Sequence, residues 1–409
     1  MTVGSNLGQV QAFNRRIVLE MIRVHGPISR AEITRRTSLT RQTISNIVAD
    51  LSRARMIVVT GQQRPEGGGK PSDELEINPS GVYSVGVNLY LDELTGVLLD
   101  LAGTIHQRVH RHISLPTPEG AAPVIKEVVN SLLAAEGIQE SDLWGAGIGL
   151  PGPLSTVYHP EQTALSAWRE AAVVEEFREI LGVPVFIENN ANAGAIGERW
   201  YGAGQHVKSF VYFSFGLFIG GGVVLNAQLY TGSGGFAAEF GDAPTSVSGE
   251  GGRYKSLSEV ASPAVLLERL EESGERGVEV EDLAGLFEKR HPLVLEWMAD
   301  ATRHIAPLIT TLEYVLDPEA VVFGGRLPEP LLRDFVARLG ATLPAFRTQN
   351  KPYELQLLVS KAGGDAAALG AATLPLYQTL DPNPSGYLGT PTSSTKTNES
   401  SIREQLLNT

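Results

Sequence analysis

No cysteine occurs among the 409 residues, so disulfides, thiolate metal sites and cysteine nucleophiles are excluded. Long apolar runs are missing too. The stretch from Phe215 to Leu225 is short and broken by glycine, far below the roughly 18 residues a membrane span needs. No N-terminal signal segment is visible, and a soluble, cytoplasmic protein without membrane attachment is the expectation. Positive charge is scarce: 33 Lys and Arg stand against 46 Asp and Glu, a formal net charge of −13. That balance argues against nucleic-acid contact over the whole surface. The scarcity is uneven, however. Residues 1–80 hold 11 Lys and Arg and 7 Asp and Glu, and the remainder holds 22 and 39. A basic head on an acidic body predicts that only the head meets phosphates, with an affinity that falls steeply with salt. The length exceeds one ordinary domain, so two or three are expected.

The head has a readable pattern. Ser29 and Glu32 have the spacing of a capping box and predict a helix from Arg30. Thr37 and Ser38 break it. Thr40 can cap a second helix, in which Ile44, Ile47, Val48 and Leu51 recur at helical spacing. The opposite face carries Thr40, Arg41, Gln42, Thr43, Ser45 and Asn46, side chains that donate to phosphates and read base edges in a major groove. Gln42 is the candidate for bidentate adenine contact, Arg41 for phosphate or guanine. An ordinary surface helix pair is the alternative, and the pattern of residues 56–77 weighs against it. Met56 to Thr60 reads as a strand, Gln62 to Lys70 as a glycine-rich loop with Arg64 and Lys70, and Leu75 to Ile77 as a returning strand. With an earlier helix over roughly Asn14 to Val24, these pieces predict a mostly α, winged helix-turn-helix domain over residues 1–80, with Arg64 and Lys70 anchoring the wing on DNA.

From Tyr83 the pattern changes to α/β. Strands are expected at 83–88, 94–100 and 105–112, a helix at 119–135, a buried strand at 145–150, a helix at 172–181 and a strand at 183–187. A second block comes next, with strands at 210–215, 221–225 and 321–323 and helices that include 301–315 and 331–339. This order predicts two α/β lobes with a cleft between them. Residues 381–409, rich in Ser, Thr, Asn and Pro, are expected to form a flexible tail.

Several motifs together resemble the ROK family of repressors, open reading frames and kinases, and within it the sugar-responsive regulators. They are the winged head, LPGPLS at 150–155, ENNANAGAIGE at 188–198, AEFGD at 238–242, SEVAS at 258–262 and DPEAVVFGG at 317–325. The resemblance covers residues from about 10 to 380. It implies an actin-like, hexokinase-like ATPase fold of two lobes for residues 81–380 and a homodimer or homotetramer. It also implies palindromic double-stranded operator DNA as partner, and a sugar, polyol or sugar phosphate in the cleft as effector. Whether the effector releases or promotes DNA binding, and so repressor or activator, stays open, with a repressor favoured.

The departures from the family are informative. Kinase members carry a catalytic Asp in the segment where this chain has Asn190, and an amide is no base at neutral pH. The kinase opening Asp and glycines are replaced by Asn88-Leu89-Tyr90, and Phe218 stands in the second phosphate loop. The resemblance therefore implies no catalytic residue and no kinase activity, with a sugar kinase bearing a DNA-binding head as the alternative. The family's structural zinc uses one His and three Cys. Asp242 stands at the His, and Glu250, Gly252 and Leu257 stand near the cysteines, so no zinc or other cofactor is expected. The loop 243–256 is then held by packing or is mobile. Carried over from sugar-binding members, the effector contacts are Asn189, Glu239, Asp242 and Glu259, and carboxylates and amides suit polyol recognition. Trp168 either stacks on a sugar face or packs in the core.

Overall fold

The computed structural model describes residues 7–63, 72–113, 117–152, 171–233, 235–249, 253–347 and 353–380. The wing residues Arg64 and Lys70, the Trp168 segment, Glu250 and Gly252, and the tail beyond 380 lie outside the described residues.

The head is built from α1 (Leu7–His25), β1 (Ile28–Ser29), α2 (Arg30–Thr37), α3 (Arg41–Arg53), β2 (Ile57–Gln63) and β3 (Ser72–Ile77). Ser29 caps α2 by accepting from the Glu32 amide, and Ser38 ends it in the left-handed region at φ 59°. Thr40 caps α3 through the Thr43 amide. The stripe Ile44, Ile47, Val48 and Leu51 is buried as its spacing predicts. A short strand, β1, is added to the sequence reading: Ile28 pairs with Leu75 and makes the hairpin β2–β3 part of a three-stranded sheet.

The body has two sheets of the same topology. The first runs β6–β5–β4–β7–β8, from β4 (Tyr83–Leu89), β5 (Glu93–Asp100), β6 (Ile105–His112), β7 (Leu143–Leu150) and β8 (Val185–Asn189). The second runs β11–β10–β9–β14–β15, from β9 (Phe210–Phe215), β10 (Ile219–Leu225), β11 (Gln228–Leu229), β14 (Ala320–Gly325) and β15 (Gln356–Val359). In each, three antiparallel strands are extended by two parallel ones. A small hairpin, β12 (Pro244–Ser248) and β13 (Tyr254–Ser256), hangs from the second lobe.

Helices cover the first sheet: α4 (Pro118–Glu136), capped by Thr117 and closed by Gly137 in the left-handed region, and α5 (Ala171–Leu181). In the second lobe, α7 (Ser258–Ala261), α8 (Pro263–Glu272), α9 (Leu283–Glu288), α10 (Pro292–Leu316) and α11 (Glu329–Thr342) enclose an aromatic core. There Phe213 stacks on Phe240 and Phe323 at centroid distances of 4.7 and 5.5 Å. In α10 the residues Val294, Trp297, Met298, Ala301, Ile305 and Ile309 form the buried stripe.

Two further helices lie at the centre: α6 (Asn190–Tyr201) and α12 (Ala366–Leu380). The sequence reading assigns a helix to neither. They pack on each other, and α12 also lies against β4, β5 and β7. The contact is made at backbone distance, because a Cβ at Gly370 would collide with the Ala193 carbonyl and one at Gly147 with the Ala371 carbonyl. The head is joined to this centre by packing as well as by chain. One apolar cluster contains Val18, Leu19 and Ile22 of α1 together with Trp144, Ile196, Trp200 and Leu374 of the body.

Candidate functional site

At the DNA-facing end, Thr40, Arg41, Gln42, Ser45 and Asn46 are exposed and Thr43 is half-buried. They lie opposite the buried stripe of α3, at the helix start, where a helix-turn-helix reads a major groove. The Gln42 Nε2 donates to Asn46 Oδ1 at 2.9 Å, which orients the Gln42 amide on the exposed face. The Thr40 and Thr43 hydroxyls lie 2.8 Å apart. No ion-pair partner of Arg41 is found among the described residues, whereas Arg35 and Arg36 on α2 are both paired with Glu32.

The second site is a cavity between the lobes, of about 620 Å³ including its open mouth. Tyr90, Asp92, Gly152, Asn189 and Asn190 line it from the first lobe, and Ser214, the 216–221 turn and Glu239 from the second. Of the four expected effector contacts, the structure brings two to this cavity, Asn189 and Glu239. Asn189 is also the N-cap of α6: its Oδ1 accepts from the Ala191 and Asn192 amides at 2.8 and 3.2 Å. With the oxygen so engaged, the amide nitrogen is the polar end left for a ligand. It lies against Gly152, where any Cβ would collide with it. Beneath it Glu188 is buried, and burial pushes its carboxyl up to about 7 although Asn192 Nδ2 and the Asn189 amide both donate to it.

Asp242 and Glu259 do not line the cavity. Glu259, on α7, has a side chain only 4% exposed, and Arg253 grips it bidentately at 2.8 and 2.6 Å. The Ser256 amide donates to the same carboxylate at 2.6 Å. Arg253 holds the Glu259 carboxyl down at about 2, against the effect of burial. This pair ties the loop between β12 and β13 to α7, in the region where the resemblance would place a metal. Asp242 is exposed, yet partial desolvation and the Glu259 charge raise its carboxyl above the usual range.

At the positions where the resemblance expects phosphate-binding backbone, this chain carries the bulky side chains of Tyr90 and Phe218. Tyr90 is 8% exposed, and burial pushes its phenol up to about 12. Arg326, which follows the Gly324-Gly325 pair, lies over its ring at 5.4 Å. The guanidinium reaches across the cleft to Asp92 at 2.6 Å and Glu93 at 3.4 Å on the first lobe, and binds Glu281 at 3.0 Å on its own. Burial pulls the Arg326 pKa down, but these three carboxylates outweigh it and hold it above the usual value. Asn88 is fully buried. Sequence reasoning identifies Asn88, Tyr90 and Phe218 but misses Arg253, Arg326 and Asp92, whose partners are distant or on another element.

Two five-stranded sheets of repeated topology, with a cavity between them, define an actin-like, two-lobed ATPase-fold body, here carrying a winged helix-turn-helix. Comparison with known proteins agrees. The ROK family model matches residues 84–377, and a MarR family model matches residues 14–66. The chain belongs to the ROK family. The xylose repressor of Bacillus subtilis is 29% identical over 380 residues, covering 91% of this chain and 97% of the relative. A glucokinase of Thermotoga maritima is 27% identical and covers 71% of this chain and 96% of its own length. A solved ROK family transcriptional regulator, described as a homologue of the E. coli Mlc protein, superposes with a TM-score of 0.71 at 21% identity. It covers 92% of this chain and 98% of the other.

Proposed function

We propose that this chain is a DNA-binding transcriptional repressor whose operator affinity is controlled by a neutral sugar or polyol in the interlobe cavity, and that it transfers no phosphate. The observation that carries the reading is the joining of two sites in one packed molecule: the exposed polar start of α3 and the Asn189–Glu239 cavity. The relative named as a xylose repressor matches 91% of this chain, whereas the glucokinase matches 71%. Xylose is accordingly the first sugar to test.

Charge supports a neutral ligand. Among the described residues the cavity lining includes Asp92 and Glu239 and no Lys or Arg. A sugar phosphate entering it would meet Glu239 and Asp92, and the cation behind Asp92, Arg326, is already held by three carboxylates. The carboxylate and amide suit hydroxyl groups, and Leu217 and Ile219 offer apolar surface to the sugar carbons. Asn190 provides no base for a sugar hydroxyl. Tyr90, where the resemblance expects phosphate-binding backbone, and the Arg326–Asp92 bridge beside it argue against a nucleotide's phosphates there.

Thr40, Arg41, Gln42, Thr43, Ser45 and Asn46 contact the operator, with Arg64 and Lys70 of the wing on the backbone. A two-fold dimer in the cytoplasm reads a palindromic site with half-sites about one or two helical turns apart.

The test is fluorescence-anisotropy binding to the gene's own upstream DNA, with and without D-xylose, D-glucose and their phosphates. Salt-dependent binding weakened by one free sugar is expected. Absence of salt-dependent binding overturns the repressor reading, and a response to the phosphates alone overturns the neutral-ligand reading. ATP turnover in the presence of any of these sugars, abolished by Glu239→Ala, would restore the kinase alternative.

A further inference from the structure

One helix spans the distance from the cavity to the head. The N-terminus of α6 is the cavity wall itself, since Asn189 caps it and Asn190 and Ala191 line the cavity. Its twelve residues cover about 18 Å. Its last turn presents Trp200, 6% exposed, to α1 of the head, where the Arg23 guanidinium lies 4.0 Å from the centroid of the ring. Arg23 is itself fixed by Glu20, which accepts from Nε and Nη2 at 2.8 Å each.

Along its length α6 is clamped between the lobes. Towards the first lobe, Gly197 meets the α12 backbone so closely that a Cβ would collide with the Ala366 carbonyl. Towards the second lobe, a Cβ added to Gly220 or Gly222 of β10 would sit 2.9 or 2.6 Å from the methyl groups of Ala191 and Ala195. Nine of the twelve residues are buried. A helix packed this tightly on both faces moves as a body, because close-packed interfaces shift between discrete arrangements and do not deform continuously.

We propose that α6 is the lever that couples sugar binding to the DNA-binding head, with the Trp200–Arg23 contact as its joint. Closure of the lobes on a sugar displaces the Asn189 end. The Trp200 end moves with it, carrying α1 and, through the shared apolar cluster, the position of α3. Trp200 and Arg23 are thus positioning residues that touch neither sugar nor DNA. Coupling of this kind requires the contact to differ between the sugar-bound and sugar-free states. The inference rests on the sugar-responsive reading above, and the experiment separates the two.

The experiment uses the full chain as Trp200→Leu, Trp200→Phe and Arg23→Gln, with D-xylose as the probe. Arg23→Gln keeps a donor to Glu20 and removes the cation from the ring, so it serves if Trp200→Leu does not fold. Calorimetry gives the D-xylose Kd, and anisotropy gives the operator Kd with and without sugar. A wild-type sugar effect on operator Kd of about 5- to 150-fold is typical of such coupling. In Trp200→Leu and Arg23→Gln it is expected to fall below about 2-fold. The D-xylose Kd and the sugar-free operator Kd should each stay within about 3-fold of wild type, and Trp200→Phe, which keeps a ring face, should retain most of the effect. An undiminished sugar effect in both variants overturns the lever, as does loss of D-xylose binding in a folded variant, which would put Trp200 in the cavity's own support. A wild type indifferent to every sugar overturns the functional reading, and the lever with it.

Discussion

Replacing Arg253 by alanine removes both guanidinium contacts from a carboxylate that is almost completely buried. In the folded protein Glu259 titrates at about 2, against an ordinary 4.5. At about 1.4 kcal/mol per pKa unit the difference amounts to roughly 3 kcal/mol. Ser256, which also lowers this carboxyl, stays in place, and Arg253 is itself 42% exposed, so its share after solvent screening is about 2 kcal/mol. Unfolding entropy of about 2.1 cal/mol/K per residue over some 300 residues of body converts that to a drop of about 3 °C in Tm. The sign with pH is that of a depressed carboxylate. The stabilisation is fully present above 4.5 and is lost as pH falls towards 2, so the gap between wild type and Arg253→Ala should narrow below about pH 4.5. Differential scanning calorimetry at pH 7 and at pH 3.5 measures both. Arg253→Lys should recover only part, because a single ammonium cannot make the two-pronged contact. The double variant Arg253→Met/Glu259→Met should recover more than either single change, since no buried charge is then left alone. A Tm for Arg253→Ala within about 1 °C of wild type at pH 7 would refute the argument that this pair fastens the β12–β13 loop.

Glu239→Ala should weaken sugar binding by about 10- to 100-fold, the loss of a charged hydrogen bond, and leave sugar-free operator affinity unchanged; calorimetry and anisotropy check the two arms. Gln42→Ala should cost about 1–3 kcal/mol at one base pair and relax preference there, while Arg41→Ala should lower specific and nonspecific affinity together and reduce the salt slope by about 1. A panel of single-base operator variants distinguishes them. Glu188→Gln keeps an acceptor for Asn192 and the Asn189 amide and removes a titrating group held at about 7. Because that folded pKa is raised, wild-type stability falls as pH rises from 4.5 to 7. The variant should therefore gain about 2–3 kcal/mol over wild type at pH 8 and little at pH 5, which is read from Tm at each pH.

The parts legible in the sequence are those whose signals are local. Ser29 and Thr40 announce helix starts, the Ile44–Leu51 stripe announces a buried face, and both are as expected. The strands of the first sheet and β9, β10 and β14 of the second are legible to within a few residues because alternation and glycine bound them, whereas the short edge strands β11 and β15 are not assigned by the sequence reading. Helices α6 and α12 escape for a physical reason. They are buried nearly all round, rich in Ala and Gly, and so present no polar face for a 3.6-residue period to reveal. Two residues of the cavity lining, Asn189 and Glu239, are legible because family motifs carry them. The Arg326–Asp92 bridge joins residues 234 positions apart, and no short-range pattern marks such a pair. The Arg253–Glu259 grip joins neighbours in sequence, but it depends on a hairpin that composition does not disclose.

The apolar cluster shared by head and body bears on how such proteins diversify. A winged head on a flexible tether could be exchanged freely, giving one sensor many operators. Here Leu19 and Ile22 would lose Trp200 and Leu374 on transfer to another body, leaving an apolar patch on each fragment. New DNA specificity is therefore more accessible through the exposed positions of α3, which contribute nothing to that shared core, than by shuffling whole domains. The seam between α1, α6 and α12 is one packed unit, and engineers who graft this head elsewhere should carry the seam with it.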